Sequence, residues 1–287
     1  MDCLCVALPG ISGETIKYMS HSGPYKIGSR TQEKKITGKI EQAYQDWALD
    51  KFSGYLAADE IYDGPFCVLF MVDSKRQRRL AYEVLDHEPK KKDVFRFFQK
   101  VSLMVSQRNL CVYGITTDGS PLYPEVIANV FPGASHQVCE FHILKEITKD
   151  VLKVVAKIRR VMKSTIPKLD RGRPRDEEKN LASIGSRIRD RIGVLFANRY
   201  LFVQHGLNKS EQHKITKISR GYPELKLLRE LMDKVYNLFD RRCRIETAME
   251  KLSKLRSKLS GFKPLGKVLS KLKSHNLEKS LTFLDDK

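Results

Sequence analysis

Between Gly54 and His142 the chain twice runs apolar and then meets an acid, and this pattern constrains its fold more than any other feature. The first run reads Tyr55-Leu56-Ala57-Ala58-Asp59-Glu60, and the second reads Val112-Tyr113-Gly114-Ile115-Thr116-Thr117-Asp118-Gly119. The stretch closes on Cys139-Glu140-Phe141-His142. Short apolar runs bounded by turn residues are strands. Tyr55–Ala58, Phe66–Val72 and Leu80–Leu85 are therefore three strands, with Asp63-Gly64-Pro65 and Asp73-Ser74-Lys75 supplying the turns of a meander. Lys90–Gln107 places Val94, Phe97, Phe98, Val101, Met104 and Val105 on one face of an amphipathic helix. A fourth strand at Leu110–Ile115, a helix at Tyr123–Phe131 ended by Pro132-Gly133, a fifth strand at His136–Cys139 and a helix from Phe141 complete the order βββαβαβα.

On either side of this stretch the character differs. Residues 1–50 form a lead-in segment. Gly10, Gly13, Gly23 and Gly28 with Pro9 and Pro24 punctuate its first part as loops. Over 32–50, Ile36, Ile40, Ala43 and Trp47 recur at helical spacing, with Trp47 expected as a packing anchor. Residues 51–150 hold the alternating strands and helices. From 151 to 287 long helical patterns dominate, at Val151–Met162, Leu181–Phe196 and Leu225–Leu259, with a basic loop at Arg171–Arg175.

Charge follows the same division. Residues 1–150 carry 19 basic and 19 acidic side chains, whereas 151–287 carry 34 and 15, so the whole net charge of +19 lies in the second part. A one-sided excess of cations calls for a polyanionic partner, nucleic acid first. No apolar run approaches the roughly 20 residues of a membrane span. Met1 to Gly10 has an acid at Asp2 and no basic residue, unlike an export signal. The six cysteines are scattered, which fits a reducing, intracellular compartment (cytoplasm or nucleoid) rather than a disulfide framework.

Asp59 and Asp118 are the residues expected to carry chemistry. Each closes an apolar strand, and adjacent parallel strands would bring the two carboxylates together at their carboxyl ends. Carboxylates that close repel unless a cation lies between them. Mg²⁺ or Mn²⁺ suits such oxygen ligands. Cys139-x-x-His142 is half of a zinc-finger spacing with no partner pair, so it reads as a Cys and a His near the site rather than a zinc centre. Arg171, Arg173 and Arg175 are the candidate phosphate contacts.

This constellation resembles DDE-type transposases of bacterial insertion sequences, and among them the Mutator-like, Cys-x-x-His group. The residues that carry the resemblance are Asp59, then Asp118 followed by a helix and Phe131-Pro132-Gly133-Ala134, then Cys139-x-x-His142. The resemblance implies an α/β fold: an RNase H-like core followed by a basic, all-helical insertion region. It implies metal-dependent DNA cleavage and strand transfer, with Asp59 and Asp118 on the metal and His142 positioning DNA. The partners it implies are transposon ends and target DNA, held by a homodimer or larger assembly. The family's third acid is a Glu after the insertion. Glu246 and Glu250 fall within a helix of the insertion, and Glu278 reads as a solvated surface residue. The expectation is therefore an incomplete form, truncated before that acid. The alternatives are a non-catalytic DNA-binding protein or another RNase H-like nuclease.

Overall fold

The computed structural model describes residues 30–169, 176–240, 243–260, 266–273 and 275–281. The chain divides into two compact units, Met1–Gln137 and Val138–Lys287.

The first unit is built on a sheet. Helix α1 (Arg30–Leu49) precedes strands β1 (Tyr55–Asp63), β2 (Phe66–Asp73) and β3 (Arg78–Leu85). Helix α2 (Lys91–Ser106), β4 (Gly114–Thr117), α3 (Tyr123–Val130) and β5 (Ser135–Val138) follow. The strands lie in the order β3-β2-β1-β4-β5. β1 to β3 form the expected antiparallel meander, and β1 pairs parallel with β4. This mixed α/β arrangement is compatible with an RNase H-like core.

Strand alternation decides which face is covered. Leu56 and Ala58 of β1, and Cys67, Leu69 and Met71 of β2, are buried on one face of the sheet. They share a core with Val94, Phe97, Phe98, Val101 and Val105 of α2, the helix stripe read from the sequence. Each large side chain so buried contributes about 1.5–3 kcal/mol. Asp73, fully buried, ties the start of β1 to the β2–β3 turn. Its carboxylate accepts from Ser53 N at 2.8 Å, Ser53 Oγ at 2.5 Å, Lys75 N at 3.0 Å and Arg76 N at 2.9 Å. Gly54 opens β1 with φ +80°, and a Cβ there would meet the Tyr113 ring at 2.3 Å. Only glycine fits that conformation and that approach.

Several boundaries differ from the sequence reading. β1 is nine residues long, so Asp59 lies inside it rather than at its end. Pairing with β2 continues to Asp63 opposite Phe66, and this hairpin carries the strand past its apolar part. β4 begins at Gly114 rather than Leu110, because only from Gly114 does the chain pair with β1. The face of α1 is also different. Ile40 and Trp47 are 65% and 55% exposed, whereas Ala48 and Leu49 are buried. The helix packs through Tyr44, Ala48 and Leu49, and Tyr44 Oη donates to Arg79 O of β3 at 2.9 Å. Trp47 instead lies under the Arg78 guanidinium, 4.7 Å from its ring centre.

The second unit is helical: α4 (Glu140–Ser164), α5 (Lys179–Ala197), α6 (Lys209–Ser219), α7 (Pro223–Leu238), α8 (Ile245–Leu259), α9 (Gly266–Leu272) and α10 (His275–Ser280). Short 3₁₀ turns at Asp176–Glu178 and Arg199–Phe202 flank α5. Its core gathers Ile147, Val151 and Val155 of α4, Leu228, Met232 and Val235 of α7, and Leu252 and Leu255 of α8. The pattern read as one helix over Leu225–Leu259 is two helices. The chain turns after Phe239, with Cys243 N donating to Asp240 O at 2.8 Å. Folding back buries the stripe of α8 in the same core as α7, which one straight helix could not do. Helix α6 was not anticipated. Asn208 caps it, accepting from Glu211 N at 2.9 Å while Glu211 accepts from Asn208 N at 2.9 Å. No helix among the described residues is long and apolar enough to cross a membrane.

Candidate metal centre

The parallel pairing of β1 with β4 sets Tyr55 level with Gly114, Leu56 with Ile115 and Ala57 with Thr116. Continued two residues further, this register brings Asp59 level with Asp118. β4 ends at Thr117, so Asp118 occupies the turn just beyond the strand. One carboxylate oxygen from each of Asp59, Glu60 and Asp118 lies within 4.8 Å of the others, and all three residues are half-buried.

Local structure fixes each member. Asp118 Oδ1 accepts from Ser120 N at 2.7 Å, the turn bond that Asp-Gly-Ser suggests, and Gly119 takes φ +89°. The turn and the cluster thus use the same residue. Beneath it Thr117 is buried, and its hydroxyl bonds His136 Nε2 at 3.0 Å. Asp59 Oδ1 accepts from Glu60 N at 2.9 Å. Glu60 Oε1 accepts from the hydroxyl of Tyr123 at 2.5 Å. Tyr123 opens α3, is fully buried, and lies against Phe98 with ring centres 5.8 Å apart. A packed aromatic therefore aims its one polar atom at the cluster.

The electrostatics follow from this packing. Burial pushes the Glu60 carboxyl up to about 7; the Tyr123 hydrogen bond works against that rise, and the charges of Asp118 and Asp59 add to it. Burial and the Glu60 charge push the Tyr123 phenol above its ordinary range, so it remains a donor. Asp73, by contrast, spends its charge on four donors. Three crowded carboxylates offer a hard, anionic set of oxygens, the donor type that Mg²⁺ and Mn²⁺ take.

Glu60 and Tyr123 were not singled out from the sequence. A signal for Glu60 was present: it continues the two-residue spacing of Leu56 and Ala58, the buried face of β1. An acid in line with a buried stripe must have a partner or a ligand.

Two of the remaining expected residues stand at the start of α4, in the helical unit. Cys139 is the N-cap residue of α4 and is half-buried. His142 lies in the first turn of α4, edge-on to the Phe141 ring at 5.5 Å. Its Nδ1 is buried without a hydrogen-bond partner among the described residues. Arg171, Arg173 and Arg175 lie outside the described residues. Glu278, expected as a solvated side chain, accepts from Arg256 Nη2 at 3.0 Å, while Arg256 Nε donates to Leu272 O at 2.8 Å. That pair holds Glu278 low in its titration range and staples α10 to α8.

Among curated proteins no relative matches the chain. A family of transposases does: the DDE transposase model of ISL3 type matches residues 60–284. Such a match points to DNA as substrate and to a role in DNA transposition. Since it spans most of the sequence, this chain belongs to the ISL3 family of DDE transposases.

Proposed function

We propose that the chain cuts and joins DNA strands with the help of Mg²⁺ or Mn²⁺ held by Asp59 and Asp118, and that Glu60 supplies a third oxygen to the same ion or pair of ions. The observation that carries this reading is the convergence of the three carboxylates on the parallel β1–β4 pair. The strand order 3-2-1-4-5, with an antiparallel meander beside a parallel neighbour, supports an RNase H-like core within residues 51–150. Residues 151–287 would then be the basic, helical insertion region.

When bound, divalent ions activate the attacking oxygen and stabilise the leaving one in an in-line displacement. The chain's own residues do the positioning. Asp59 is fixed by its place in the β1–β2 ladder opposite Phe70, and Asp118 is held by the turn at Gly119 and Ser120. Tyr123 keeps Glu60 facing its two neighbours. Preorganised charge of this kind lowers the barrier without rearrangement during the reaction. His142 is assigned the positioning of the scissile phosphate, and Cys139 a place beside it, by the Cys-x-x-His resemblance. Arg171, Arg173 and Arg175 are assigned to the DNA backbone. Joining two transposon ends calls for a homodimer or larger on DNA.

Mn²⁺ titration of the purified chain, followed by electron paramagnetic resonance, tests the reading alongside nicking of a supercoiled plasmid. Asp59→Asn and Asp118→Asn should each remove Mn²⁺ binding and nicking while leaving DNA affinity in place. Mn²⁺ binding unaltered by both changes would leave a DNA-binding protein whose acids are structural.

A further inference from the structure

A second cluster, in the helical unit, has the composition of a nucleic-acid contact and no role in the metal centre. It is a cleft of about 300 Å³ between α4 and the end of α5, lined by Leu152, Val155, Ala156 and Arg159 on one side and Leu195, Phe196, Arg199 and Tyr200 on the other. Its floor is apolar: Leu195 and Val155 are 0% and 3% exposed. Its rim is aromatic and cationic. The Arg159 guanidinium lies 4.7 Å from the Phe196 ring centre, and that of Arg199 lies 4.3 Å from both Phe196 and Tyr200. Arg199 is held in place, donating through Nη1 to Phe196 O at 2.7 Å and through Nη2 to Tyr200 Oη at 3.2 Å.

Two properties set this cluster apart from ordinary surface stacking. First, the arginines do not cover the rings. Phe196 remains 49% exposed and Tyr200 57%. Large aromatic surface left in water at the edge of an apolar cleft is costly unless something covers it. Second, among the described residues no Asp or Glu lines the cleft. Elsewhere in this unit cations meet acids, as Lys153 meets Asp150, Lys254 meets Glu250 and Lys258 meets Glu230. Arg159 has no carboxylate partner among the described residues. The ligand that suits a flat aromatic face, an apolar floor and two uncompensated guanidiniums is flat and anionic.

We propose that this cleft binds single-stranded DNA, stacking one unpaired base against Tyr200 with Arg159 and Arg199 on the flanking phosphates. A base stacks on an aromatic face whatever its sequence, and arginine adds its own planar cation to the stack. The cleft has room for a base but not for a duplex, whose bases are stacked on one another and present only their edges. The proposal does not depend on the carboxylates, so its test and that of the metal centre fail separately.

The test is fluorescence anisotropy of a labelled oligothymidine and of a duplex of equal length, titrated with the purified chain and its variants. Tyr200 is more than half exposed, so Tyr200→Ala should keep the fold, which circular dichroism melting checks. It should weaken single-strand binding about tenfold, the loss of one stacked base, and change duplex binding by less than about twofold. Tyr200→Phe should retain single-strand affinity, because the stack needs the ring and not the hydroxyl. Arg159→Gln should lower the slope of log affinity against log salt by about 1 for the single strand. Three outcomes would overturn the proposal: no loss with Tyr200→Ala, equal loss on single strand and duplex, or a loss with Tyr200→Phe as large as with alanine.

Discussion

The two units handle charge in opposite ways. The sheet unit, Met1–Gln137, is close to neutral, with 17 basic and 16 acidic residues, while the helical unit, Val138–Lys287, carries 36 and 18. In the sheet unit the informative charges are negative and held by backbone. Asp73 sits in a ring of donors, and Asp59 and Asp118 are set level by strand register. In the helical unit the informative charges are positive and are spread along helix faces. Its one buried guanidinium among the described residues, Arg229, is used up internally. It donates to Leu201 O at 2.8 Å, to Gln204 O at 2.7 Å and to Asp233 at 3.1 Å, which makes it a clamp rather than a contact for DNA. The difference teaches what each architecture does well. A strand places an acid to within a register step, as a metal ligand requires. A helix displays many cations over a long surface, as a phosphate backbone requires.

The largest effect should come from breaking the first half of that contrast. Asp118→Asn removes a ligand oxygen while keeping its turn bond to Ser120 N. It should lower Mn²⁺ affinity more than about a hundredfold, since removal of a mere supporting residue around a metal already costs 10–100-fold. Calorimetric titration checks this. Duplex affinity of the same variant should be unchanged or slightly higher, because the lost charge is negative. A matching fall in both quantities would mean that the two units do not divide the work.

Next in size is a test of whether each unit has its own core. Leu228 of α7 and Met71 of β2 are both fully buried, in separate clusters. Each change to alanine should cost about 2–5 kcal/mol. Hydrogen exchange read by mass spectrometry should then show the loss of protection confined to the helical unit for Leu228→Ala and to the sheet unit for Met71→Ala. Loss spread over both units from either change would turn the two cores into one cooperative structure. A smaller effect is expected for Tyr123→Phe. Removing the hydroxyl from Glu60 should cost about 1–1.5 kcal/mol in stability. It should also weaken Mn²⁺ binding several-fold by letting Glu60 turn, and the same titration shows it.

Much of the sheet unit was legible because local signals agreed there. The α2 stripe from Val94 to Val105 is the one that packs, and the apolar run Phe66–Val72 is a central strand. Asp59 and Asp118 could be picked out because an acid after an apolar run is conspicuous. What escaped was set by pairing and packing. β1 continues to Asp63 because β2 lies beside it, although Asp59-Glu60 looks like a strand's end. Trp47 is displaced from the core because Ala48 and Leu49 on the adjoining face fit closer to the sheet. Glu60 gave a readable alternation, but only Tyr123, 63 residues away, shows what that alternation is for. In the helical unit the turn between α7 and α8 carries no Gly or Pro, so the apolar period runs through it unmarked.

The smallest expected difference sharpens the contrast at the level of a single helix start. Both units begin a helix with an acid reaching back to the backbone. In α2 Asp93 accepts from Lys90 N at 3.0 Å, and in α6 Glu211 accepts from Asn208 N at 2.9 Å while Asn208 returns the bond. Asp93 is 2% exposed, with His87 Nε2 at 3.7 Å, whereas the α6 cap stands in solvent. An exposed cap competes with water and its loss costs about 1 kcal/mol. A buried one leaves its donor unsatisfied when removed and costs about 1–3 kcal/mol. Asp93→Ala should therefore lower the urea midpoint more than Asn208→Ala does, with each unfolding slope unchanged. Equal shifts would mean that water reaches the start of α2, and that the acids of the sheet unit are not sheltered as its packing implies.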